Sequence, residues 1–201
     1  MTSRAFKNLT VVTLMALAWS AYQPKEYFTW FLEILPVLIA WPVLYYSRKK
    51  FPLTDLSYAF VTLHFLVLII GGKYTYAEVP LFSWVRDAFG HSRNNYDKIG
   101  HFMQGFVPAL LCMEIFTRKK VINGERWQFF LITCTCLGFS AFYELIEWWV
   151  SALTEDGSDA FLGTQGYVWD TQSDMLLALC GAVLAQVLLS KVLAKQLNEP
   201  S

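Results

Sequence analysis

The stretch Arg93-Asn94-Asn95-Tyr96-Asp97-Lys98-Ile99-Gly100-His101-Phe102-Met103-Gln104 is where a polar loop passes into an apolar helix. Its ionisable side chains continue into the helix. Asp97 and His101 are four residues apart and Gln104 lies three further on, so a helix carries all three on one face. The candidate site therefore depends on which later polar residues can meet this face.

The composition indicates a membrane protein. Of the 201 residues, 55% are hydrophobic and only 16% are charged, whereas a soluble domain carries about a quarter charged residues. The mean hydropathy is +0.37. The net charge is zero, so there is no overall basic field to attract nucleic acid, and we expect no nucleic-acid partner.

Six apolar runs divide the chain, and we expect each to form a transmembrane helix. They are approximately residues 9–22, 28–46, 56–72, 98–116, 127–153 and 175–193. The first run could instead be a secretory signal peptide, because Ala16-Leu17-Ala18 has the small-x-small form, but an uncleaved helix is favoured. Val79–Phe89 suits a short helix at the membrane interface. The prediction is an all-α polytopic bundle forming a single integral membrane domain, residues 1–201.

The orientation follows from the lysine and arginine residues of alternate loops. Eleven of the 16 would lie on the side of the N-terminus and five on the other side. The loop at 154–174 carries neither residue type. The positive-inside rule therefore predicts that both termini are cytoplasmic. In a bacterium the outer side is the periplasmic side of the inner membrane.

This orientation brings three regions to the outer side. Helix 4 enters there, helix 5 exits there and helix 6 begins there. Ionised side chains at membrane depth are costly unless they are paired or face a wet cavity, so such residues are functional candidates. The alternative is a collar of solvated acids. The candidate catalytic residues are Asp97, His101, Glu144, Glu147, Asp170 and Asp174.

Other residues on this side are candidates for ligand binding. Arg93 and Lys98 offer positive charge to a phosphate or carboxylate, although basic residues beside a helix mostly meet headgroups. Gln104 shares the face of His101. Trp148 and Trp169 could line a binding site, but tryptophan is also ordinary at membrane interfaces.

Three motifs resemble a known family. They are Arg93–His101, Tyr143-Glu144-Leu145-Ile146-Glu147-Trp148 and Trp169-Asp170-Thr171-Gln172-Ser173-Asp174-Met175. Over nearly its whole length the chain resembles the YjdF-type bacterial inner-membrane proteins, a family without an established activity. The order of motifs is also similar to a wider VanZ-like pattern. The resemblance implies that helices 4 to 6 form the functional half.

Three functions stay open. The first is an enzyme that acts at the outer leaflet on a lipid or lipid-linked molecule, with the acids and His101 as general acid/base groups or as ligands of a divalent metal. The second is a non-catalytic module that binds a headgroup, peptide or partner. The third is a small proton-coupled transporter using Glu33, His64 and Glu144, although no repeated halves are evident. No established catalytic signature is present, and no particular metal is indicated.

Overall fold

A computed structural model describes residues 4–154 and 165–198. Within these ranges the chain is all-helical and has no strand. The helices are α1 (Arg4–Ala21), α2 (Tyr27–Ser47), α3 (Asp55–Lys73), α4 (Pro80–Phe89), α5 (Tyr96–Lys119), α6 (Glu125–Leu153) and α7 (Asp170–Asn198). Five of them, α2, α3, α5, α6 and α7, are long and apolar enough to cross a membrane. The predicted all-α class is confirmed, whereas the sixth span and the side of the termini stay predictions.

The long helices alternate in direction, so the bundle has two distinct ends. At one end, Lys73 at the end of α3 donates from Nζ to the carbonyl of Tyr22, just after α1, at 2.6 Å. We call this the site end; it holds the last turns of α1, α3 and α6 and the first turns of α2, α5 and α7. At the opposite end, the backbone N–H of Thr54 donates to Glu114 of α5 at 2.9 Å.

Two glycines let α5 and α7 approach backbone to backbone. A Cβ atom added at Gly105 would lie 1.8 Å from the carbonyl oxygen of Ala178, and one at Gly181 would lie 2.2 Å from that of Phe102. Small residues are the usual means of close helix packing in membranes, where apolar burial alone does not drive association. Because Gly105 is one turn from His101 and Ala178 one turn from Asp174, this contact sets how closely those two side chains meet.

A buried carboxylate organises the opposite end. Glu114 has no exposed surface, and it accepts hydrogen bonds from the Thr54 hydroxyl at 2.9 Å and the Ser57 hydroxyl at 2.6 Å. Arg118, one turn along α5, pairs with Glu114 at 2.7 Å and also donates to the carbonyl of Pro52. This cluster fixes the start of α3 against the last third of α5.

Candidate functional site

The candidate site lies at the site end, on the inward faces of α5, α6 and α7. On α6 the buried face runs from Ile132 through Cys136 and Ser140 to Glu144, at four-residue intervals. On α7 it begins at Asp170 and Asp174 and continues into alanine and glycine. On each helix, the face that packs against other helices in the middle of the bundle is therefore also the face that carries acids near the site end.

His101 is the centre of the cluster. Its Nε2 lies 3.3 Å from Asp97 Oδ1 on the same helix and 4.0 Å from Asp174 Oδ2 on α7. Its Nδ1 lies 3.0 Å from Gln104 Oε1 and 3.7 Å from Glu144 Oε1 on α6. One imidazole thus connects three helices.

Arg93 closes the cluster from the loop before α5. Its guanidinium forms an ion pair with Asp170 and lies 3.4 Å from Asp97. All three side chains are nearly inaccessible to solvent. The positive charge of Arg93, predicted from the sequence to bind a ligand, is therefore paired with two of the protein's own carboxylates.

Two further acids surround this core. Glu147 on α6 is buried and close enough to His101, Glu144 and Asp97 to interact with them electrostatically. Glu33 on α2 is buried and within electrostatic reach of Asp97, His101 and Tyr143. The Tyr143 ring also packs edge-on against His101, with centroids 6.4 Å apart. Four helices therefore contribute to one buried polar cluster.

The start of α5 is held by Asn94. Its side-chain amide, fully buried, donates to the carbonyl of Val79 at 3.1 Å, and its Oδ1 accepts from the N–H of Tyr96 at 3.1 Å. Gln165 pairs with both backbone groups of Asn94, at 3.0 and 2.9 Å. The Tyr96 hydroxyl donates to the carbonyl of Val67 on α3 at 3.0 Å. These bonds fix the entry angle that turns Asp97 and His101 inward.

The structure brings most of the predicted site residues together. The six candidate catalytic residues, together with Arg93 and Gln104, lie in or beside the cluster. Lys98 lies outside it, with its ammonium 5.6 Å from the centre of the Tyr167 ring. Trp148 and Trp169 are 61% and 64% exposed, so their rings lie on the surface around the cluster and do not line it.

Several residues of the cluster are not among the candidate catalytic residues. Glu33 is one of them, and its isolation in an apolar run was the available signal. Tyr143 belongs to a motif that was singled out, but its contacts with Glu33 and His101 had no sequence signal. Nor did the pairing of Gln165 with Asn94, because it joins residues 71 apart.

Three side chains fit a metal ion. One ligand atom from each of Asp97, His101 and Asp174 can be chosen so that all lie within 4.8 Å of one another. Carboxylate oxygen with imidazole nitrogen is a donor set found for divalent transition metals.

Comparison with known proteins identifies the family. Residues 6–195 match the model of the family described as "Predicted membrane protein (DUF2238)". The chain belongs to this family. It is 44% identical over 192 residues to "Inner membrane protein YjdF" of Escherichia coli (strain K12), which covers 95% of this chain and 92% of that protein. No solved structure matches.

This DUF2238 family member is a multi-pass helical membrane protein. The family description and the five candidate spans agree on this, and the predicted resemblance to YjdF-type proteins is confirmed. The bilayer is therefore a partner of the apolar helix surfaces.

Proposed function

We propose that this protein is a single integral domain of the bacterial inner membrane, with six spans and cytoplasmic termini. We further propose that its periplasmic site binds, and acts on, a lipid or lipid-linked molecule. The observation that carries the proposal is the depth of the buried Asp/Glu/His cluster. The name of the E. coli relative supports the inner-membrane location.

The packing of α1 supports the sixth span. Near its start, the Phe6 ring packs edge-on against Tyr58 at the start of α3, with centroids 5.5 Å apart. Near its end, Trp19 packs in the same way against Tyr74, just beyond α3. Helix α1 therefore runs beside a candidate span from end to end. Its 18 residues extend over roughly 27 Å, close to the roughly 30 Å of a bilayer core.

The distribution of charge supports the orientation. The opposite end holds the basic segments 48–50 and 118–120. The site end is acidic in its interior. By the positive-inside rule we expect the basic end to face the cytoplasm, and the cluster would then lie on the periplasmic side.

The depth of the cluster matches the chemistry of lipid headgroups. His101 is five residues from the start of α5 and Asp174 four from the start of α7, so they lie about 6–8 Å along their helices. Glu144 is nine residues from the end of α6, about 13 Å. The interfacial layer on each side of a bilayer core is roughly 5–8 Å thick. His101 and Asp174 therefore lie at the level of the ester, phosphate and glycerol groups of a lipid, whereas Glu144 lies deeper.

The cluster also offers groups for proton transfer. His101 and Glu144 lie 3.7 Å apart on different helices, and a histidine beside carboxylates is a common general acid/base pair. A bound lipid would present its headgroup bonds to these groups from the side of the bilayer.

Topology can be tested by cysteine labelling. In a variant whose native cysteines are replaced by alanine, Asp87→Cys in α4 should react with a membrane-impermeant maleimide added outside spheroplasts. Glu125→Cys, at the start of α6, should react only after lysis. The reverse pattern would contradict the orientation and place the cluster on the cytoplasmic side.

Lipid binding can be tested by native mass spectrometry. Wild type, His101→Gln and Glu144→Gln would be compared with the matched control Glu125→Gln, which lies at the opposite end. We expect a co-purified lipid on wild type and control and its loss from the two site variants. Incubation in nanodiscs of E. coli polar lipids, followed by mass analysis, would reveal turnover. Equal lipid retention in all four proteins, together with no turnover, would contradict the proposal.

A further inference from the structure

We infer that Asp97, His101 and Asp174 form a binding site for one divalent transition-metal ion, with Gln104 as the positioning residue of the histidine ligand. This metal site lies within the site of the proposed function. The role of the ion rests on that function, whereas the binding of the ion follows from the side-chain geometry.

The distances between the ligand atoms suit a single ion. A metal at about 2.0–2.2 Å from each donor separates neighbouring donors by roughly 3–4 Å. His101 Nε2 lies 3.3 Å from Asp97 Oδ1 and 4.0 Å from Asp174 Oδ2. All three ligand atoms lie within 4.8 Å of one another, so an ion between them would draw the two carboxylates closer by up to about 1 Å.

The second nitrogen of His101 supports the same conclusion. Because the amide oxygen of Gln104 is an acceptor, the ring Nδ1 that lies 3.0 Å from it carries the hydrogen. In the neutral imidazole, Nε2 then directs a lone pair toward Asp97 and Asp174. A lone pair facing carboxylate oxygens is repulsive unless a proton or a metal ion lies between them, and a metal ion can contact both carboxylates at once. A ring N–H bound to an oxygen acceptor is also the usual support of a metal-bound histidine.

Buried carboxylate oxygens without hydrogen-bond donors support a cation at this position. Among the residues that the structure describes, Asp174 Oδ1 and Glu144 Oε1 are buried and have no hydrogen-bond partner. Both side chains are more than nine-tenths buried, at 3% and 8% exposed. Burying a carboxylate oxygen without a partner is strongly unfavourable.

The charge balance adds an independent reason. Within the described ranges, six buried acids surround the cluster, whereas its buried bases are Arg93 and His101. The acids are Glu33, Asp97, Glu144, Glu147, Asp170 and Asp174. Arg93 is taken by Asp170 and Asp97. A divalent ion at His101 would give Asp174 a positive partner, which Arg93 does not supply.

The donor set indicates the class of ion. An imidazole with two carboxylates suits Zn²⁺, Mn²⁺ or Fe²⁺ more than Mg²⁺ or Ca²⁺, which prefer oxygen alone. Three protein ligands leave at least one coordination position open, which is the arrangement of catalytic metal sites. That position would take a water molecule or an oxygen of the proposed lipid headgroup.

The experiment measures metal binding directly. Purified wild type, stripped with EDTA and then incubated with Zn²⁺ or Mn²⁺, should retain one equivalent by inductively coupled plasma mass spectrometry. His101→Gln and Asp174→Asn should lose it, and Glu125→Gln should keep it. Gln104→Leu should bind about 10–100-fold more weakly, because only the support of the ligand is removed.

Thermal unfolding separates a ligand from a merely structural acid. Without metal, Asp174→Asn keeps the size and shape of the side chain, so it should unfold at or slightly above the temperature of wild type. With metal the order should reverse, because only wild type gains stability from the ion. If Asp174→Asn is less stable than wild type by the same amount in both conditions, the acid is structural and the inference fails.

The remaining outcomes are also decisive. Folded wild type that retains no metal, or that retains as much as His101→Gln, would overturn the metal site. If lipid is nevertheless retained in the mass spectrometry experiment, the proposed function stands without the metal. Stoichiometric metal with no lipid and no turnover would leave the metal site and remove the proposed function.

Discussion

The contact between α5 and α7 can be tested by adding one methyl group. In Gly105→Ala, the new Cβ atom would lie 1.8 Å from the carbonyl oxygen of Ala178, whereas ordinary contact begins at 3.4 Å. The obstacle is backbone, so it cannot rotate away. The helices must separate by about 1.6 Å at this level, and overpacking of this kind costs about 1–3 kcal/mol in the free energy of unfolding.

The separation also reaches the polar cluster. His101 and Asp174 are each one turn from the point of contact, so their distance of 4.0 Å would lengthen to roughly 5–6 Å. Two ligands of one ion can be no more than about 4.2 Å apart when each lies about 2.1 Å from the metal. We therefore expect Gly105→Ala to lower the unfolding temperature and to lose the bound metal, although no ligand has been changed.

The assay is thermal unfolding in detergent, followed by circular dichroism, together with metal content. Gly138→Ala on α6 is the matched control, since a Cβ atom added there meets nothing within 4 Å. Alanine is up to about 1 kcal/mol better than glycine inside a helix, so the control should be equal to or more stable than wild type. If the two variants unfold alike and retain the same metal, the close approach of α5 and α7 does not determine the site.

Three further perturbations have defined outcomes. Arg93→Gln leaves two buried carboxylates without their cation and should lower the free energy of unfolding by about 3–5 kcal/mol in a denaturant titration; a loss below about 1 kcal/mol would show that the pairs contribute little. Glu114→Ala removes the acceptor of the opposite end and should lower the free energy of unfolding by a similar amount. One equivalent of metal should still bind at the site end, and loss of the metal together with stability would show that the two ends are not independent. Glu26 is the N-cap of α2; burial raises the pKa of its carboxyl, but hydrogen bonds from Thr29 and Phe28 outweigh burial and lower the pKa below 4.5. Wild type should therefore be more stable than Glu26→Gln by about 0.5–2 kcal/mol above pH 4.5. This advantage should disappear as the pH falls below 4.5, and an advantage that grows in acid would contradict the cap.

The helices were predictable because the signal is local. Each apolar run is long enough to identify a span, and each of the six predicted runs overlaps a helix of the structure. Four-residue spacing also placed Asp97 with His101, and Asp170 with Asp174, on shared faces. Helix α7 nevertheless begins at Asp170, so both acids lie within the helix that was expected to start near residue 175.

The remaining features depend on contacts between distant parts of the chain. Nothing in the sequence near Arg93 shows that its charge is taken by Asp170, 77 residues later. The inward direction of Glu33 depends on how α2 rotates against its neighbours. Trp148 lies four residues after Glu144 on α6, so helical spacing places it near the same face, yet it is exposed and Glu144 is buried. Local patterns thus predict which face is polar, and packing decides what that face meets.

The hydrogen bonds at the two ends bear on the third function considered above. Alternating access requires one group of helices to rock against another about a central site. Here α3 is joined to α5 by the Tyr96 hydroxyl on Val67 at one end and by Thr54 on Glu114 at the other. A rocking motion that separated α3 from α5 would break a buried hydrogen bond at one end or the other and leave polar groups unsatisfied in an apolar medium, at about 1–3 kcal/mol for each. These bonds therefore tie α3 and α5 into one unit, and a transporter built on this fold would have to move the two helices together.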